Sequence, residues 1–293
     1  MDEFEGTDGL EGKDDEGGSG GEEFPRTLEE RLEKRVSIKI PERGNARLGR
    51  LIRHINEDDE LYALWTAANV TAIHRLGMTD HGPVHVKIVT NIALRLLRLL
   101  VKAGVEPNVV TDHGLSSDDA EIVVVLAALL HDLGMAIHRE DHESFSLFVA
   151  QGKLEELLAD EYEVAAATIM RSEILHAIIA HRSGGTPLTL EAGIVRIADA
   201  LDMAKGRSRI PFRQESSTSI HSVSAAAIDR VHIGEGEDRP IRLVIEMTNS
   251  AGVFQLDQLF REKLKGSRLE PYVELEAEIE GEEEKRLLRG FKL

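Results

Sequence analysis

Leu129-Leu130-His131-Asp132-Leu133-Gly134 closes a run that from Ala120 onward is almost wholly Val, Ile, Leu and Ala. Such a run reads as a buried helix. An imidazole and a carboxylate planted at its end are costly in an apolar interior unless something compensates them. A divalent metal ion does so, because both side chains ligate it. The question is whether the chain supplies further ligands.

On either side of this run the apolar spacing is helical. Leu28 to Leu32, Leu48 to Ile52 and Leu61 to Leu76 place apolar residues three or four apart, and Asp58-Asp59-Glu60 puts acids at the start of the last. Val84 to Val101, Ser117 to Leu133, His142 to Leu158, Tyr162 to His181 and Leu190 to Ala204 read as further helices. After Pro211 the period shortens to two. Ile228 to Ile233 and Ile241 to Met247 alternate like strands about a Gly-Glu-Gly-Glu-Asp turn, Phe254 to Leu264 is an amphipathic helix, and Val273 to Ile279 alternates again. The expected fold is mainly α, a helical bundle followed by a small α+β module of β-β-α-β order. The expected divisions are a disordered acidic tail at 1–24, the helical domain at 25–211 and the module at 212–293, with Arg213 to Ser224 as its connection.

Composition narrows the functional classes. Among 293 residues, 42% are hydrophobic but only 4% aromatic, so the core is aliphatic, as in packed helices. Cysteine is absent, which excludes disulfides and thiolate metal sites and favours a reducing setting. The apolar run Ile122 to Leu130 is too short to span a bilayer, and the glycine-rich acidic amino terminus is no signal peptide. A cytoplasmic protein is expected. The net charge of −18, half of it in residues 1–24, disfavours long nucleic acid as a partner.

Eight of the twelve histidines lie between His81 and His181, inside the helical part. His85 stands at the start of a long helix, followed by the His131-Asp132 doublet, His142 in Asp-His-Glu-Ser, His181 in Ala-His-Arg-Ser-Gly, and Asp199 in Ile-Ala-Asp-Ala-Leu-Asp. Each has a bland reading: His142 facing water, Asp199 paired with Arg196. Together, histidines and acids recurring across separate helices point to a metal centre. His81, His138 and His176 are weaker candidates for substrate contact or for support behind the ligands. Asp202, three residues after Asp199, is placed to orient a ligand histidine through its free nitrogen.

The order His85, His131-Asp132, Asp199 resembles the HD superfamily of metal-dependent phosphohydrolases. Leu-Leu-His-Asp-Leu-Gly-Met looks like that family's central motif, and Ile-Ala-Asp-Ala-Leu-Asp looks like its terminal aspartate motif. The stretch from Ala177 to Leu201 is similar to the HD domain of ribonuclease Y and its archaeal and bacterial relatives. The resemblance covers roughly residues 80–210. It departs at Met135, where many HD enzymes carry lysine, so a phosphate contact expected there is lost or supplied elsewhere. The membrane anchor, coiled coil and KH module of a ribonuclease Y are missing, and membrane-bound RNA turnover is not expected.

The resemblance implies a hydrolase that cleaves a phosphomonoester or phosphodiester, of a nucleotide, with water activated by one or two divalent ions (Mn, Fe, Co, Ni or Mg). His85, His131, Asp132 and Asp199 suffice for one ion. His142 and His181 allow a second, bridged through Asp132, as in two-metal HD proteins. Two ions about 3.5–4 Å apart activate water and stabilise phosphoryl oxygens in an in-line attack. Arg182 and Arg207 are the candidate phosphate contacts, since guanidinium forks match phosphate oxygens, while Lys205 and Arg209 have the bland reading of cations after a helix end. The scarcity of aromatics gives little support to stacking along RNA, so a small phosphorylated substrate is expected. A ribonuclease or cyclic-nucleotide phosphodiesterase, a non-enzymatic nucleotide-sensing or scaffold protein, and a metal-dependent oxygenase on the same helical scaffold are the alternatives. Self-association through the edge of the small sheet is a further expectation.

Overall fold

In the computed structural model, which describes residues 35–182, 184–203 and 227–279, helices form the body and one small sheet follows. The helices are α1 (Ala46–Glu57), α2 (Asp59–Asn69), α3 (Pro83–Lys102), α4 (Asn108–His113), α5 (Ser117–Leu130), α6 (His142–Ala159), α7 (Val164–Ala180) and α8 (Leu190–Leu201). The acidic stretch 1–24, the expected helix at Leu28 to Leu32, the connection from Arg213 to Ser224 and the expected division near residue 211 lie outside the described residues. No helix among the described residues is long and apolar enough to cross a membrane.

Helix α5 is the axis of the body. Ser116 and Asp119 form a reciprocal capping box at its start, which satisfies two amide donors that the first turn leaves open. Every residue from Ile122 to Leu130 is fully buried. Each large aliphatic side chain so buried contributes roughly 1.5–3 kcal/mol. The helix packs against α3, α7 and α8, and these elements carry His85, His181 and Asp199.

The sequence expectation carried α5 through Leu133, but the helix ends at Leu130. Ser146, on α6, takes over the hydrogen bonds at this point. Its Oγ donates to the His131 carbonyl at 2.6 Å and accepts from the Gly134 amide at 2.8 Å. Trp65 Nε1 donates to the Leu129 carbonyl at 2.8 Å. The chain then turns tightly through Leu133–Ala136. Gly134 is required there, because a Cβ would overlap the His142 carbonyl and the Ser146 amide.

A second difference lies after α2. The expected helix to Leu76 continues from α2 as a wider π-helical turn over Val70–Arg75. Asp58 caps α2 by accepting from the Leu61 amide at 2.8 Å. At the other end, Asn69 reaches across to the segment that precedes α3. Its side chain donates to Asp80 Oδ2 and accepts from the His81 amide, both at 3.1 Å. Asp80 Oδ1 in turn accepts from the Gly82 amide at 2.9 Å, closing the entry to α3.

The sheet has strand order β1-β2-β3, with β1 (Ile228–Glu235), β2 (Ile241–Met247) and β3 (Val273–Ile279). β1 and β2 are antiparallel and joined by the expected turn, whereas β2 and β3 are parallel. A parallel pair needs a crossover. Here it is a helical segment made of Gly252–Phe254, a π-helical turn Gln255–Phe260, and Arg261–Leu264. β2 buries Ile241, Leu243, Ile245 and Met247 on one face, against which the aliphatic core continues. The sheet leans on α3, and the crossover segment leans on α8.

That second contact is close. A Cβ at Gly193 of α8 would overlap the Ser267 carbonyl oxygen, so glycine there lets the loop after the crossover segment lie directly on the helix. Ser267 and Leu269 are fully buried in the contact.

Candidate metal centre

Six side chains from five separate parts of the body converge. His85 comes from the first turn of α3, His131 and Asp132 from the end of α5, His142 from the first residue of α6, His181 from the end of α7 and Asp199 from α8. The turn into α6 is set by Asp141 in the left-handed region at φ 56°, a conformation aspartate tolerates better than most residues.

Asp132 divides its two oxygens between two pairs of histidines. Oδ2 lies 3.4 Å from His85 Nε2 and 3.3 Å from His131 Nε2. Oδ1 lies 3.3 Å from His142 Nε2 and 3.8 Å from His181 Nε2. Asp199 Oδ1 joins the first pair, at 3.6 Å from His85 and 3.9 Å from His131. Glu143, which the sequence reading passed over although it adjoins His142, lies near that second group and could act with His142 and His181.

The remaining ring nitrogens fix the tautomers. His131 Nδ1 donates to the Ala128 carbonyl at 2.8 Å and His181 Nδ1 to the Ile178 carbonyl at 2.6 Å. His85 Nδ1 meets Asp202 Oδ2 at 2.6 Å, the orienting contact expected from the sequence. His142 Nδ1 lies 3.0 Å from the Arg139 carbonyl. With Nδ1 of His85, His131 and His181 committed to oxygen acceptors, their Nε2 lone pairs face inward, whereas His142 Nδ1 also lies 2.8 Å from the Arg139 guanidinium, a donor. His85 Nε2 and His131 Nε2 then confront each other at 3.2 Å. Two lone pairs at that separation repel unless a cation lies against both, and the residues present therefore fit a metal.

Burial pushes the Asp132 and Asp199 carboxyls up, but it is outweighed by the imidazoles around Asp132, and by Lys263 and the imidazoles around Asp199, so both are held well below 3.8. Burial, reinforced by His131, pushes His181 down to about 3, which keeps it neutral and available as a ligand. His142 is opposed by burial yet raised by its contact with Asp132. Nitrogen and carboxylate donors without thiolates suit Mn, Fe, Co, Ni or Mg.

A cleft of about 720 Å³ opens onto the centre, and its walls carry Arg139, Arg182, Lys263 and Lys265 beside four of the candidate ligands. Arg182 is exposed on this wall, as a phosphate contact requires. Arg207, Lys205 and Arg209 lie outside the described residues. Arg139 and Lys263 escaped sequence reading. Lys263 has no motif around it, and nothing in its local sequence signals that its Nζ lies 2.6 Å from Asp199 Oδ2.

Several weaker expectations are corrected. Asp199 does not pair with Arg196, which instead donates to the carbonyls of Gly185 at 2.5 Å, Arg182 at 3.2 Å and Lys263 at 3.1 Å. His142 is buried rather than facing water. His138 is exposed on the turn before α6, where its Nδ1 accepts from the Glu140 amide, and His176 accepts from the Leu188 amide. Neither reaches the centre. His81 sits on the turn before α3 and lines the cleft, in keeping with substrate contact. Met135 packs fully buried against Ala68 and Ala72, so its position supplies no polar group to the cleft.

The HD domain model matches residues 84–204. A protein of Methanocaldococcus jannaschii, described only as uncharacterized protein MJ1020, is 43% identical over 215 residues, which cover 73% of this chain and 83% of that one. The chain belongs to the HD-domain family. The matched HD domain starts just before His85 and ends just after Asp202, so it contains all six converging side chains and the aspartate behind His85. Lys263 and Lys265 fall outside it. The narrower likeness to ribonuclease Y rests on the motif residues alone.

Proposed function

We propose that this HD protein is a metal-dependent phosphohydrolase acting on a small phosphoester, a nucleotide being the leading class. The observation that carries the reading is the division of Asp132, one carboxylate whose two oxygens each address a separate pair of inward-facing imidazoles. A carboxylate divided in this way would suit two ions better than one. His85, His131, Asp132 and Asp199 would hold one, and His142, His181 and Asp132 the other. Bound there, such ions supply an activated water and charge stabilisation for the phosphoryl oxygens in an in-line displacement.

The protein's own residues account for the rest. Asp202 holds His85 in the tautomer that presents Nε2, and the backbone carbonyls behind His131 and His181 do the same. His85, His131 and Asp132 are buried, which strengthens charge interactions within the site. Arg182, on the cleft wall, provides donors suited to phosphate oxygens. A small substrate fits better than a strand of RNA. Phe260, the aromatic side chain at the cleft, is only 1% exposed and offers no stacking face.

The test is hydrolysis of a panel of nucleotides, cyclic dinucleotides and short RNA by metal-loaded protein, with Asp132→Ala beside it. The expected result is release of phosphate or of a nucleotide by the wild type and a loss of at least about 10³-fold in the variant. Undiminished activity in Asp132→Ala overturns the mechanism.

A further inference from the structure

We propose that Lys263 is a phosphate-binding residue, so that a segment outside the HD domain completes the substrate site. This rests on the phosphohydrolase reading and adds to it the group that receives the terminal phosphate.

Among the described residues, Lys263 is the Lys or Arg whose side chain forms an ion pair with one of the two central carboxylates. Its Nζ lies 2.6 Å from Asp199 Oδ2, while Oδ1 of the same carboxylate faces His85 and His131. The ammonium therefore stands one carboxylate away from the centre. Its side chain remains 26% exposed, and the residue lines the cleft.

The segment that delivers Lys263 is held in place on both sides. Arg196, only 5% exposed, donates from Nε to the Lys263 carbonyl and from Nη1 to the carbonyls of Arg182 and Gly185. One guanidinium thus ties the Lys263 backbone to the loop that follows His181. A few residues further on, the Ser267 backbone lies against Gly193, where no Cβ could be accommodated. These contacts fix the main chain but leave the four-carbon stem of the lysine free to move.

When Asp199 shares its charge with a bound cation, its hold on the ammonium weakens. A phosphate dianion entering the cleft then offers the better acceptor, and the lysine swings to it. Lys263, Arg139 and the exposed Arg182 and Lys265 place positive charge around the mouth of a strongly anionic protein, beside the acids Glu143 and Glu262. That arrangement selects a compact anion such as a phosphomonoester or its phosphate product.

The test uses the full chain loaded with Mn²⁺ and follows inorganic phosphate binding by calorimetry alongside hydrolysis. Lys263→Gln is expected to weaken phosphate binding by about tenfold or more, and to raise KM more than it lowers kcat, at unchanged metal content. Lys263→Arg is expected to recover part of the phosphate affinity. If the wild type hydrolyses its substrate and Lys263→Gln keeps the wild-type phosphate affinity and KM, this inference falls and the hydrolase reading stands. If phosphate binding depends on Lys263 but the wild type hydrolyses nothing, the phosphate site stands and the hydrolase reading falls. Joint loss of metal and of thermal stability in Lys263→Gln makes the residue structural and overturns the inference.

Discussion

Asp202 Oδ2 lies 2.6 Å from His85 Nδ1, and both side chains are buried. This contact sets which nitrogen of His85 carries its proton and which faces Asp132. Removing the acceptor leaves the ring free to turn or to change tautomer. Asp202→Ala is expected to stay folded and to bind Mn²⁺ about 10–100-fold more weakly. Calorimetric titration of metal into the stripped protein checks it. Wild-type affinity in the variant removes Asp202 from the centre.

The division of Asp132 predicts two ions per chain, and His142 makes one of them sensitive to acid. His142 is raised by Asp132 despite its burial, whereas burial pushes His181 down to about 3, so of this pair His142 gains a proton first as pH falls. Protonation competes with metal, so the ion that His142 would hold is weakened in acid. Metal content by mass spectrometry is expected to fall below two per chain as the pH is lowered from neutrality. His142→Ala should show one ion wherever the wild type holds two. Two ions retained in that variant refute the assignment.

Gly134 is forced by packing rather than by turn conformation alone. A methyl group there meets the His142 carbonyl and the Ser146 amide, the two points at which α6 is seated on the doublet. Gly134→Ala is expected to cost about 1–3 kcal/mol or more in stability and to displace His142 from Asp132. Thermal melting and metal content should both drop. A variant that keeps both shows that α6 can shift without harm.

Asp119 tests the start of α5. Its carboxylate closes the capping box with Ser116, accepts from Tyr162 at 2.7 Å and pairs with Arg47 at 2.8 Å. Burial raises its pKa, but the hydrogen bonds from Ser116 and Tyr162 outweigh that and lower it. A carboxyl lowered on folding adds stability above its unfolded pKa and loses that contribution as pH falls through the folded value. Asp119→Ala is therefore expected to cost about 1–2 kcal/mol near neutrality and progressively less below about pH 4, read by denaturant titration across pH. A cost independent of pH assigns the effect to packing.

Much of the architecture was legible because it is written in local periodicity. The aliphatic run before the doublet, the alternation of Ile241 to Met247 and the acids ahead of Leu61 each act within a few residues, and the chain folds there as expected. The failures were at ends. Nothing around Leu130 announces that Ser146, sixteen positions later, takes over its helix's hydrogen bonds. The π-helical turn after Asn69 is likewise set by partners at Asp80 and His81 rather than by its own residues.

By itself the sequence determined which side chains are ligand material: imidazoles and carboxylates recur in apolar helices, and desolvation makes each of them costly alone. Only the tertiary structure decided how they meet. It assigned the two oxygens of Asp132 to different histidine pairs, sent Arg196 to backbone carbonyls instead of Asp199, and brought Lys263 to Asp199 across 64 positions of chain. The physical reason is range. Helix and strand periods are set by neighbours in sequence, whereas a charge or a lone pair finds its partner through packed space.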